Sequence, residues 1–187
     1  NVKVFDRDGK FLKTFGKAGE GPGELSLPRS IHFTARDEVV VVDMNRRLSL
    51  FKPSGEFVRT VSAGSLSLMD ARPDSNGNFL VYLMVQEEGN RRYELRKVDG
   101  GLKDLFVVES SPMQNTERDG FNPFFPVLRW APLSGDRVVC GWAEKYEFRI
   151  HDAAGRIVRK IQMDPDPIPI SKEDIDERTK GAPPALM

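Results

Sequence analysis

Two adjacent arginine pairs, Arg46-Arg47 and Arg91-Arg92, stand 45 residues apart. A guanidinium makes forked, charge-assisted hydrogen bonds to phosphate or carboxylate, so this residue type at a recurring position points to capture of an anion. Arg29 and Lys145 extend the same chemistry. The structural alternative is internal pairing, in which one arginine of each pair, the second more readily than the first, lies along its own sheet and meets Asp43, Glu87 or Glu88.

Other residue types narrow the chemistry. His32 and His151 are the only histidines and Cys140 is the only cysteine. A catalytic zinc needs about three protein ligands, and these two histidines fall in different repeat units, so no metal ligand set is assigned. The single cysteine excludes an intrachain disulfide and every multi-cysteine metal site. Neither Cys140 nor any serine has a credible neighbouring base, so no catalytic residue is assigned. His32 falls on an inner strand and reads either as a ligand or general base facing a central channel, or as a packed histidine. Phe124, within Phe121-Asn122-Pro123-Phe124-Phe125-Pro126, reads either as an aromatic anchor for a partner or as a plug folded onto its own sheet. The stretch Gly16-Lys17-Ala18-Gly19-Glu20-Gly21-Pro22-Gly23 has the composition of a phosphate-cradling loop, but Pro28 and a strand follow where a helix N-terminus is required.

The elements that must carry these residues are announced by a repeat. Val4 to Leu12, Leu50 to Val58, Leu95 to Leu102 and Ile150 to Val158 each show an apolar strand end, a polar turn with glycine and a second apolar strand. The glycines at 9, 55, 100 and 155 give intervals of 46, 45 and 55. Glycine suits a tight hairpin because it adopts positive φ without a Cβ penalty. Between these turns lie two more strand candidates per unit, as at Ser30 to Thr34 and Val39 to Asp43, with Gly, Asn, Asp and Ser clustered between them. Four antiparallel strands recurring at a period of this size read as the blades of a β-propeller.

The fold class is therefore all-β, a partial β-propeller of four-stranded antiparallel blades with a short C-terminal helix. Residues 1–163 form the blades: 1–16 the outer strands of one, and 28–61, 67–108 and 126–161 three whole ones. Residues 164–187 form a proline-rich segment, with a helix from about Lys172 to Lys180 capped by Ser171 and ended at Gly181. This count, about three and a half blades, reads as a fragment of a larger ring, and the tail as a lead into further blades. Composition agrees: 39% hydrophobic and 30% charged residues among 187 describe a chain that builds a core. Lys plus Arg and Asp plus Glu both number 28, so no global field draws it to nucleic acid or an anionic membrane. No apolar run approaches the length of a membrane span, and the opening residues read as a strand and not as a signal peptide.

In order, Phe5-Asp6-Arg7-Asp8-Gly9-Lys10-Phe11-Leu12-Lys13-Thr14-Phe15-Gly16, Gly19-Glu20-Gly21-Pro22-Gly23-Glu24-Leu25, Pro28 and Val41-Val42-Asp43-Met44-Asn45-Arg46-Arg47-Leu48 resemble the repeat signature of the NHL-type six-bladed propellers, a family with many uncharacterised bacterial members. The resemblance covers residues 1–61 well. The second full blade keeps Asn90-Arg91-Arg92 with Glu88 where Asp43 stands, and the last keeps only the turn at Asp152 to Gly155. It implies six blades and an extracytoplasmic, periplasmic or exported, location, but no single activity, since the family holds RNA-binding modules, protein-binding sensors and metal-dependent lyases. In the lyases a histidine follows the inner-strand proline, and here Arg29 takes that place.

The expectation is a non-catalytic module that binds a protein or an acidic small molecule on its loop face, through a rim of Arg29, Arg46, Arg47, Arg91 and Arg92 with Asp43, His32 and Phe124 nearby. No cofactor is assigned. A calcium-dependent hydrolase or lactonase would take its ion on oxygens at the axis of the complete ring, with Asp70 the best inner-strand candidate. RNA binding is a third reading and would rest on a local basic face, against the zero net charge.

Overall fold

Val39-Val40-Val41-Val42-Asp43 is buried at every position, which a strand achieves only when both faces of its sheet are covered. This is strand β4 (Val39–Asp43). The computed structural model describes residues 1–87, 90–114, 122, 124–142, 145–166 and 168–180. The chain falls into two compact units, one of residues 1–85 and 94–109, the other of 86–93 and 110–187.

Fourteen strands are described: β1 (Val2–Phe5), β2 (Phe11–Phe15), β3 (Pro28–Phe33), β4, β5 (Arg47–Phe51), β6 (Phe57–Ser62), β7 (Ser67–Pro73), β8 (Phe79–Glu87), β9 (Asn90–Val98), β10 (Asp104–Pro112), β11 (Leu128–Leu133), β12 (Arg137–Trp142), β13 (Glu147–His151) and β14 (Ile157–Gln162). They form one two-stranded sheet, β1-β2, and three four-stranded sheets in which sequential strands are neighbours: β3 to β6, β7 to β10 and β11 to β14. The architecture is all-β with four-stranded antiparallel meanders of blade form, as the repeat implies. The second meander is longer than read from sequence, since β10 continues to Pro112 and Arg91 and Arg92 lie within β9.

One turn design closes five of the hairpins. Asp6, Thr34, Asp74, Asp99 and Asp152 each accept the N–H groups two and four positions on, and a left-handed residue follows at the fourth place of the turn. That residue is Gly9, Asp37, Gly77, Leu102 and Gly155 respectively. Here one expectation is corrected: the third glycine turn falls on Leu102 (φ 66°), not Gly100. Leu102 is buried against Val98 and Phe79 in the core, and this packing outweighs the left-handed penalty. Gly100 has a different reason for being glycine, because a Cβ there would stand 2.9 Å from the carbonyl oxygen of Gly77.

The two faces of the β3 to β6 sheet carry two cores. Val40, Val42, Leu48 and Leu50 pack with Leu68, Phe79, Val81 and Leu83 of the next sheet. Val39, Val41 and Phe51 pack with Val2 and Leu25, with Phe15 and Phe57 at the margin. The β3·β7 neighbourhood brings inner strand against inner strand. The register lines up His32, Val40, Leu50 and Arg59 as one row across this sheet. Ser49 lies on the opposite face, fully buried, and its hydroxyl finds no hydrogen-bond partner among the described residues. Ser49→Ala removes an unsatisfied polar atom without opening a large void, so it should stabilise the protein by up to about 1 kcal/mol. A urea midpoint lower than wild type would contradict this.

Helix α1 (Lys172–Thr179) starts as read: Ser171 accepts from Asp174 N, and the Asp174 carboxylate accepts from Ser171 N at 2.8 Å, a reciprocal capping box. None of its residues is buried, and Gly181 lies outside the described residues. No described helix is long and apolar enough to cross a membrane.

Candidate functional site

The β4-β5 turn, Met44-Asn45-Arg46, is held from beneath by Asp43. Its carboxylate is fully buried and accepts from Ser26 N (2.8 Å), Leu27 N (2.9 Å), Asn45 N (3.1 Å) and the Arg47 guanidinium (3.2 Å). Burial alone raises this carboxyl, but the three backbone donors and Arg47 outweigh it and hold it below the usual carboxylate range. Arg47 spends its remaining donors on Glu20 O (2.6 Å), Gly19 O (3.0 Å) and Glu24 O (3.0 Å). Asp43 and Arg47 thus clasp the glycine-rich segment to the sheet, and Leu25 drops from it into the core at 1% exposure.

That segment has no vacant anion cradle. Gly21 N donates to Glu24 Oε2 at 2.9 Å, and Lys17 Nζ stands 3.1 Å from Glu24 Oε1. The Gly21 amide and then Lys17 lower the Glu24 carboxyl pKa. The Gly21 amide and the Lys17 ammonium of this segment are thus both engaged by an internal carboxylate.

Arg46 differs from Arg47 in every respect. It is exposed, it sits at φ 56°, and its side chain has no partner among the described residues. Its carbonyl accepts Ala63 N at 2.7 Å. The same bond recurs at Arg91 O from Met113 N (3.1 Å) and at Tyr146 O from Met163 N (2.9 Å). Arg46, Arg91 and Tyr146 therefore hold one repeat position, each within its own sheet. Arg91 is also exposed with no side-chain partner among the described residues, while Arg92 Nη1 pairs with Glu87 Oε2 at 2.9 Å. Arg29 is exposed beside the β4-β5 turn, its Nη1 3.7 Å from Met44 Sδ. Glu88 and Glu144 lie outside the described residues.

His32 is placed with an aspartate. Its Nε2 stands 3.3 Å from Asp70 Oδ1, which also accepts Ser30 Oγ at 2.6 Å, while Arg72 Nε donates to Asp70 Oδ2 at 3.0 Å. Burial raises the Asp70 carboxyl, yet His32, Ser30 and Arg72 together pull it far below the usual carboxylate range. All three groups converge on the carboxylate, so Asp70 is a hub joining β3 to β7 and not a relay that activates Ser30. Sequence reasoning singled out His32 and Asp70 separately; their partnership spans 38 residues and no local spacing announces it.

The remaining candidates belong to the second unit. His151 is buried in the second unit with Nδ1 3.1 Å from Gly155 O. Phe124 is 37% exposed and its N–H donates to Asn122 Oδ1 at 2.9 Å; Phe121 and Pro123 lie outside the described residues. Cys140 is buried on β12. Sequence reasoning missed a buried ion pair, Lys97 with Asp74 at 2.5 Å, and a cleft at the far end of β4.

Neither a family model nor a curated protein sequence matches the chain. Among solved structures, it is similar to a protein of unknown function from Bacteroides caccae at 13% identity and a TM-score of 0.32, over 71% of this chain and 59% of that one, so it spans less than two thirds of that protein's length.

Proposed function

We propose that the chain is part of an NHL-type propeller that acts as a non-catalytic binding module, and that the β4-β5 turn end of the first unit captures an acidic partner through Arg46 with Arg29 beside it. One observation carries the reading. Arg46 keeps an exposed guanidinium with no partner among the described residues, at a left-handed position that glycine or asparagine occupies at lower cost. Its neighbour Arg47 is consumed by Asp43 and three loop carbonyls, so within this pair the cation left for a ligand is the one held on the strained backbone. Arg91 has the same character within its own sheet.

The test uses a fluorescently labelled poly-glutamate peptide as probe, followed by anisotropy. Arg46→Glu should weaken binding about tenfold or more, since a charge contact in a partly desolvated site contributes on the order of 1.5 kcal/mol or more. Arg46→Gly should lose binding while raising stability by about 0.5–1 kcal/mol, because glycine relieves the left-handed strain. Equal binding by wild type and Arg46→Glu would remove the reading, and so would binding insensitive to salt between low and physiological ionic strength.

A further inference from the structure

At the end of β4 opposite Arg46, the β3 to β6 and β7 to β10 sheets open into a cleft of about 240 Å³. Its apolar floor is the half-buried Pro73, with the buried core residues Leu50 and Phe79 behind it. One wall carries Arg36 and Glu38 from the β3-β4 turn, and Arg59 from β6. Arg59 pairs with Leu50 in the register, so it shares the face turned to the β7 to β10 sheet and forms the outer end of the row that begins at His32. The other wall is the turn at Gly77 and the backbone of Gly100, which approach each other too closely for a Cβ at Gly100.

The charges in this cleft are unpaired among the described residues. Arg47, Arg72 and Arg96 of the same unit close on carboxylates. Arg36, Arg59 and Glu38 make no side-chain ion pair or hydrogen bond among the described residues. Two guanidinium groups call for a carboxylate in forked geometry, and the single unpaired carboxylate calls for a hydrogen-bond donor close to it. The floor calls for an apolar group. A volume below the roughly 300 Å³ at which drug-sized pockets begin restricts the occupant to a small metabolite.

We infer that this cleft binds a small carboxylate bearing a donor on the adjacent carbon and an apolar side chain, the chemistry shared by α-amino acids and 2-hydroxy acids. Arg36 and Arg59 hold the carboxylate, Glu38 accepts from the ammonium or hydroxyl, and the side chain lies over Pro73. The site is independent of the acidic-partner reading, since β4 separates the two by five residues, roughly 15 Å at a strand's rise.

Calorimetry and saturation-transfer NMR with leucine, 2-hydroxy-4-methylpentanoate and 4-methylpentanoate test it on the whole chain. The first two should bind, and the third, lacking the donor, should bind about tenfold more weakly. Arg36→Ala and Arg59→Ala should each lower affinity about tenfold, and Glu38→Gln should narrow the gap between the donor-bearing ligands and 4-methylpentanoate. All three side chains are exposed or half-buried, so thermal melts should be unchanged. Preference for the amino acid over the hydroxy acid identifies which donor the site takes. Arg46→Glu should leave every one of these affinities intact. Absence of binding at millimolar concentration, equal affinity for 4-methylpentanoate, or affinity unchanged in the Arg36→Ala/Arg59→Ala protein would each overturn the inference.

Discussion

Asp43→Ala is expected to cost about 3–5 kcal/mol, the range for removing one partner of a buried, hydrogen-bonded ion pair. The loss has two parts that act together. Ser26 N and Leu27 N lose their acceptor where the chain enters β3, and the Arg47 guanidinium is left with no carboxylate at its centre. Because Arg47 also holds Gly19, Glu20 and Glu24 by their carbonyls, the glycine-rich segment should loosen and withdraw Leu25 from the core formed by Val41 and Phe51. Two measurements check this: the urea midpoint, and the rate of tryptic cleavage after Lys17. Asp43→Asn keeps one acceptor oxygen but not the ion pair and should fall between wild type and alanine. A loss below about 1 kcal/mol, in the range of an exposed salt bridge, would mean that the clasp does not organise the turn.

The sheets were legible because their signals are local. An Asp or Thr that accepts two N–H groups within its own turn, followed by a left-handed residue, can be read from five consecutive letters, and the strands follow from what lies between such turns. Leu102 shows the limit of that reading. Its left-handed backbone is favoured by burial against Val98 and Phe79, and a local rule prefers the glycine two residues earlier. The arginine pairs show the same limit in the site. Arg46 and Arg47 are chemically identical in sequence, and what separates them is a set of carbonyls 23 to 28 residues upstream whose position depends on Leu25 finding its core. The cleft of Arg36 and Arg59 was not legible at all, because it exists only where two sheets splay and its residues come from five separate turns or strands.

The second large effect concerns acid. Asp70 joins β3 to β7 through Ser30, His32 and Arg72, and these partners hold its folded-state pKa below the roughly 3.9 of an unfolded aspartate. Asp43 and Asp74 are lowered in the same direction. A depressed folded pKa means that the unfolded chain takes up protons first as pH falls. The stabilisation from each of these carboxylates is therefore whole above about pH 5, begins to fail near pH 4 and is lost as pH falls through the folded value. Each such group adds up to about 1.4 kcal/mol per pH unit to the slope in that window. Asp70→Asn removes one of them, so it should cost about 2–3 kcal/mol at pH 7 and progressively less below pH 4, giving a shallower curve that converges on wild type in acid. Urea denaturation from pH 2 to 7 reads this directly. Curves that run parallel would show that Asp70 titrates alike in folded and unfolded chains, and that the inner-strand hub contributes packing and not charge. Convergence would place the stability of the β3-β7 seam, and with it the row that ends at Arg59, under the control of one carboxylate.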